Sequence, residues 1–537
     1  MRASSRLEEF SEWASGFSLS DAPDDVVDLA KLQVGNILAA SIGSLNSDVP
    51  ELTRELRERA PEGDATVVGG GLTDVSTAYY LNSTYSMHHD YDDYLFMAHT
   101  GHSAVLASLA VAESEGLGTE DLLRGVVVAN ELEGRLGASV VVGPHNGQMW
   151  SFVHGAGAAA ATAVLNGGDA DDVLNSVSLV LYNPPFPLEP GFMGGDSKSL
   201  TASSSGASGI RAGYLALSGA TGSRDVLDAE KGFFDRFSYL PFPEMLSGFG
   251  ESWVTRSLSL KPYPGCAYVQ TPLELIEGIT EQNDLSIDDI ESVTVDSSLL
   301  TLGMETMSRP HRSDDSLPPS NATFSVPYSL ALSLVDVGTE DGFGTRCLER
   351  SRIHENLDRL NGIASRVELR HSWEHTVKAL DGLSRAVPMK KLLDEKPKTE
   401  LLSGLRRFRD EHSRLSTKKE VLRLLTERRT LELKRALDSP IEAEGFDLSC
   451  ASFDDLEFRF SASVEVETRG GTYRDEAPDH SGACGRGLDE RREVVSEKLR
   501  TESADCFDES TARSLLNVVE GLESAELVEL SSLLRNP

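Results

Sequence analysis

The stretches FVHGAGAAAATAVLNGG (152–168) and SSSGASGIRAGYLALSGATG (203–222) constrain the fold more than any other part of the chain. Each is long enough for a helix of four turns or more, yet most of its side chains are Gly, Ala, Ser or Thr. Helices with so little side-chain volume bury surface well only when backbones approach closely, so both belong between other helices in a close-packed interior. Candidate neighbours stand on either side. VVDLAKLQVGNILAASIGSL (26–45), SAVLASLAVAESEG (103–116) and EDLLRGVVVANELEGRLG (120–137) all carry apolar residues at helical spacing, and acidic residues precede the first of them. The spacing predicts a large helical bundle over about the first 260 residues.

Past residue 260 the pattern changes. IESVTVDSS (290–298), ASRVELRH (364–371) and LEFRFSASVEVETRGG (456–471) alternate as strands do, with helix-like PYSLALSLVDVG (327–338) between them. STARSLLNVVEGLESAELVELSSLLR (510–535) returns to helix. The predicted fold class is therefore α+β. A large all-helical domain covers 1–260, with a C-terminal helix at 505–537 packing back on it. A smaller α/β domain covers 261–504 and carries a charged helical insertion at about 372–455. Within that insertion, residues 395–438 hold 13 basic and 8 acidic residues, which reads as a helical excursion against an acidic neighbour.

Charge limits the partners. With 86 acidic and 50 basic residues the net charge is −36, spread along the chain, so nucleic acid and anionic membrane are poor partners. Such an acid coat fits a salt-rich cytoplasm, where screening weakens self-repulsion. The five cysteines are odd in number and form no CxxC pair, which suggests neither a disulfide framework nor a thiolate metal site. The N-terminus has no apolar signal core, and the expectation is a soluble cytoplasmic protein.

Residues 88–102, HHDYDDYLFMAHTGH, gather four histidines and three aspartates before a helix. They match no metal template such as HExxH, and a solvated polar loop would also account for them. In a catalytic reading, Asp90 or a neighbour orients His99 as a general acid or base, and the following helix N-terminus favours an anionic substrate. Lys198, in GFMGGDSKSLTASSSGASG, and Lys261, in SLSLKPYPGCAYVQTP, sit among small uncharged residues rather than on a charged face. Ammonium groups so placed suit the binding of a carboxylate and would make a locally positive pocket.

Taken in order, these stretches resemble the MmgE/PrpD family, which includes 2-methylcitrate dehydratases and cis-aconitate decarboxylases. The resemblance runs through VVDLAKLQVGNILAASIGSL, HHDYDDYLFMAHTGHSAVLASLAVAE, ANELEGRLG, GAGAAAATAVLNGG, the Lys198 stretch, KPYPGCAYVQTP and FSVPYSLALSL, from about residue 25 to 340. It implies a helical domain with a smaller α/β lid in a homodimer, and a site between them that uses no metal and no organic cofactor. By the resemblance, the catalytic residues are Asp90, His99, Lys198, Lys261 and Tyr328. The substrate-binding positions are Lys198, Lys261, His102, Ser151 and Cys266. The implied reaction is proton abstraction beside a carboxylate of a small tricarboxylate, followed by loss of water, as in a 2-methylcitrate dehydratase. Alternatives are a cis-aconitate decarboxylase-like reaction, a dicarboxylate isomerase or epimerase, and a catalytically inactive member that binds a partner. Two positions depart from the family pattern. Met149 stands where many members have a histidine, and Cys266 stands where decarboxylase-like members have another, which counts modestly against decarboxylation.

Overall fold

The computed structural model describes residues 5–335, 343–386, 397–411, 453–454 and 456–535. Most of the basic stretch 395–438 therefore lies outside the described residues. So does part of the charged insertion, of which the helices Trp373–Ala386 and Lys398–Glu411 are described.

The helices expected in the first half are present as Asp24–Gly43, Gly101–Ser114, Thr119–Ser139, Ser151–Leu165 and Thr201–Leu217. They pack with Val75–His88 and Ala170–Leu181 into one apolar core. The small-residue helices 151–165 and 201–217 meet most closely. A Cβ placed on Gly209 would lie 2.2 Å from the Gly155 carbonyl oxygen, so only a hydrogen fits there. Asp24–Asn46 is long and apolar enough to cross a membrane, but 83 % of its window is buried inside the protein.

A second core lies around a four-stranded sheet of mixed direction. Its order is Val367–His371, Ile290–Ser297, Ala462–Thr468, Gly471–Ala477. The first pair is parallel and the other two are antiparallel. The alternation expected from 456 begins only at Ala462, and residues 456–460 are irregular. Helices Ala267–Gln282, Val326–Val335 and Leu357–Ala364 contribute apolar residues to this core.

The C-terminal part differs from the single helix foreseen. It consists of Leu488–Cys506, Glu509–Glu520 and Leu527–Leu534. Asp508 caps the second helix by accepting from the Thr511 amide, and the helix stops at Gly521. Val495, Leu499, Leu515 and Val519 enter the first core, so packing onto the helical bundle begins already at 488 rather than 505.

Candidate active site

Two short strands bring the chemistry together. Asp93–Leu95 pairs antiparallel with Leu258–Leu260, and this ribbon sets the DYDD turn beside the KPYPG element. Helix Val75–His88 ends just before the turn, and Asp90 lies in the left-handed region at φ 56°. A non-glycine residue is strained there and needs several contacts to hold it. Lys261 and Gly265 (φ 139°) provide them. The Asp90 carbonyl accepts from Lys261 Nζ (3.0 Å) and from the Gly265 amide (3.2 Å).

Lys261 Nζ also donates to Asp90 Oδ1 (2.6 Å) and Asp92 Oδ1 (2.5 Å), with all three side chains fully buried. Lys198, carried on the short turn Asp196–Leu200 before helix 201–217, stands 3.6 Å from Asp90 Oδ2 and 3.5 Å from the Met87 carbonyl. Burial opposes ionisation of Asp90, but the two ammonium groups win and hold its carboxyl below the usual range. Burial likewise opposes the charge on Asp92, and Lys261 with His99 drives it well below that range. For Lys261 the burial penalty is overcome by Asp90 and Asp92, which raise its pKa above the usual lysine value. Two carboxylates and two ammoniums balance, so the cluster is charge-neutral rather than the positive pocket foreseen.

The donors are unequally committed. All three Lys261 protons have acceptors, whereas among the described residues Lys198 has two long polar contacts and stands 5.3 Å from the centre of the Phe324 ring, which leaves it capacity for a bound anion. His99 is oriented by Asp92, not by Asp90 as the sequence suggested. Its Nδ1 donates to Asp92 Oδ2 at 2.7 Å, and among the described residues no hydrogen bond reaches Nε2. Burial lowers the His99 pKa and outweighs the pull of Asp92, which favours the uncharged ring. His102 shares the same carboxylate oxygen, with Nε2 2.9 Å from Asp92 Oδ2 and Nδ1 2.7 Å from Ser86 Oγ.

The helix N-terminus after HTGHS is not open to a substrate. Asp93 Oδ1 accepts from the Gly101 amide at 3.1 Å, and burial beside Asp92 pushes the Asp93 pKa up to about 6. The other two positions the resemblance put at the substrate have local partners. Ser151 begins helix 151–165 and donates to the Thr201 carbonyl, tying two helices together. Cys266 is buried against the cluster, and desolvation pushes its thiol up to about 12, too high for a base at neutral pH. Among the described residues no contact joins Tyr328 to this cluster; its hydroxyl donates to Asn361 at 2.7 Å and Arg312 stands over its ring.

Besides Asp92, three residues enter that the sequence reading had not placed. Gln148, neighbour of Met149 in a short turn, donates to Asp90 Oδ1 and lies 3.4 Å from His99 Nδ1, while Met149 packs in the second core. Tyr94 lies with its ring 6.3 Å from His99, and its hydroxyl is 2.9 Å from His480 Nε2. Burial holds His480 down at about 3, so it is neutral; its Nδ1 accepts from the Gly482 amide at 3.2 Å, and Nε2–H therefore donates to the Tyr94 hydroxyl. Asp92 and Tyr94 had a signal, spaced by two and four from Asp90 in one turn. Nothing local distinguishes Gln148 or His480.

Asp90, Asp92 and His99 place ligand-type atoms within 4.8 Å of one another, a spacing some divalent ions use. The Lys261 ammonium already bridges the two carboxylates there.

Residues 8–244 match the sequence profile described as the MmgE/PrpD N-terminal domain. A cis-aconitate decarboxylase of Aspergillus terreus (strain NIH 2624 / FGSC A1156) is 26 % identical over 400 residues, covering 68 % of this chain and 78 % of the relative. A second Aspergillus terreus protein of the same name is 26 % identical over 383 residues, covering 65 % and 75 %.

Proposed function

We propose that the chain, whose residues 8–244 match the MmgE/PrpD N-terminal domain, is a lyase acting on a small tricarboxylate, with the Asp90–Asp92–His99–Lys198–Lys261 cluster as its site. The observation that carries this reading is the buried meeting of the His99 imidazole, its orienting Asp92 carboxylate and the Lys198 ammonium.

In the dehydration reading, Lys198 grips a substrate carboxylate and His99 Nε2 removes the proton from the adjacent carbon. The C–H electron pair becomes a C=C bond, the C–O bond breaks, and the departing hydroxide takes the proton now on His99 Nε2 and leaves as water. Asp92 stabilises the imidazolium so formed, as a buried carboxylate behind a histidine does in acyl-transfer enzymes. Lys261 keeps Asp90 and Asp92 ionised and in place. A positioned acid or base contributes about 10²–10⁴-fold, so the charge of Lys198 near the developing carbanion must share the work.

Decarboxylation is the second reading, favoured by the activity that names both Aspergillus relatives. There the C–C bond to a carboxylate breaks, CO₂ leaves, and the carbanion takes a proton from a site acid. Cys266 offers no ring nitrogen for that step.

Purified protein in concentrated KCl, incubated with cis-aconitate and with 2-methylcitrate and followed by NMR, separates the two. A new alkene with loss of water supports the first reading, and CO₂ release the second. No turnover of either acid overturns the lyase proposal. Lys198→Ala is expected to remove turnover while leaving the fold. The exposed apolar loop bearing Tyr182, Phe186 and Leu188 supports self-association into a homodimer, which light scattering tests.

A further inference from the structure

We propose that Lys498, on the C-terminal helix Leu488–Cys506, is a positioning residue for this site: it holds the backbone between Asp90 and Asp92 and so sets the Asp92–His99 geometry. The proposal rests on the lyase reading and deepens it.

The carbonyls of Asp90, Tyr91 and Asp92 are each held from outside the turn. Asp90 O accepts from Lys261 Nζ and the Gly265 amide, and Asp92 O accepts from the Lys261 amide at 3.2 Å. Tyr91 O, between them, accepts from Lys498 Nζ. The same ammonium donates to Asn36 Oδ1 (2.8 Å) and stands 3.6 Å from the centre of the Tyr91 ring, whose hydroxyl donates to the Pro262 carbonyl (3.0 Å). The turn carries a strained Asp90 and two carboxylates that differ in task, so a small backbone shift alters which one faces His99.

Lys498 is 2 % exposed, and both its acceptors are neutral oxygens. Burial lowers its pKa to about 7 against the pull of Asp92 and Glu502. A methionine would fill that space with less desolvation. What the ammonium adds is two directed hydrogen bonds and a cation over the Tyr91 ring. Lys498, Tyr91 and Pro262 also line a cavity of about 680 Å³, in which Asp90, Asp92, His99, Lys198 and Lys261 take no part. A change of side-chain shape at 498 therefore has room in the cavity, while loss of the hydrogen bond to the Tyr91 carbonyl acts on the turn.

The test compares wild type with Lys498→Met and with Glu493→Gln, a substitution on the same cavity wall. Turnover is measured with cis-aconitate and 2-methylcitrate. In parallel, the downfield proton of His99 Nδ1–H bonded to Asp92 is followed by NMR of histidine-labelled protein. Lys498→Met is expected to fold, to lower kcat roughly 10- to 100-fold with KM changed less than about threefold, and to shift or broaden the His99 proton. Glu493→Gln should match wild type in all three. A Lys498→Met protein with wild-type kcat, with an unmoved His99 resonance, or with activity lost only in step with folding overturns the proposal. If that variant does not fold, Asn36→Leu removes the other acceptor. It should lower kcat and move the resonance in the same direction, and an unmoved resonance again overturns the claim. Should wild type turn over neither acid, the lyase reading fails, while the resonance comparison still decides the positioning claim.

Discussion

Asp92 accepts from His99 with one carboxylate oxygen and from Lys261 with the other, so it links imidazole and ammonium. Replacing it by Asn keeps the shape but removes the charge that favours the imidazolium and balances Lys261. Asp92→Asn is expected to lower kcat about 10²-fold or more. It should also destabilise the fold by about 3 kcal/mol, because a buried ammonium loses a partner. Steady-state kinetics and chaotrope unfolding on one preparation check both, and unchanged kcat would leave Asp92 with a structural task alone. The sequence reading chose Asp90 for this role. Both aspartates lie in one turn, and the left-handed φ of Asp90 decides which carboxylate meets the histidine. That angle follows from contacts with Lys261 and Gly265, which are some 170 residues away and not visible locally.

Among elements, the small-residue helices show how pattern becomes packing. Apolar helical spacing and the near absence of bulk sufficed to place 151–165 and 201–217 in the interior, and the contact of Gly209 with the Gly155 carbonyl is the physical content of that expectation. Gly209→Ala would drive a methyl into a backbone oxygen that has nowhere to move. A net loss of about 1–3 kcal/mol is expected in thermal unfolding. Gly303→Ala, in helix Leu299–Ser308 with open space at its Cβ, should be neutral or stabilising by up to about 1 kcal/mol. Equal gains in both variants would mean that helix propensity rather than close approach governs the site. The C-terminal segment was harder to read. Its apolar residues do recur at helical spacing, but the break at Gly521 and the docking of Leu488–Cys506 onto Asp24–Gly43 depend on surfaces remote in sequence.

At the scale of the whole molecule, the charge of −36 sits outside a cluster whose own charges cancel. Self-repulsion over such a surface is long-ranged at low salt, and the screening length falls from about 10 Å at 0.1 M to about 3 Å at 1 M. The melting temperature is therefore expected to rise by several degrees between 0.1 and 2 M KCl, as scanning calorimetry would show. A flat or falling profile would count against the salt-adapted reading of the surface.

The chain by itself determined its α+β class, the order of its elements, and the set of polar residues unsuited to an ordinary core. These follow from hydrophobic period and from the cost of burying charge, both of which are local or additive. Tertiary structure decided which members of that set touch. It gave Asp92 to His99, brought Gln148 and His480 in, sent Tyr328 to Asn361, and used up Lys261 on carboxylates. Hydrogen bonds are directional and reach about 3 Å, so their partners are settled only when distant segments have been brought to that distance.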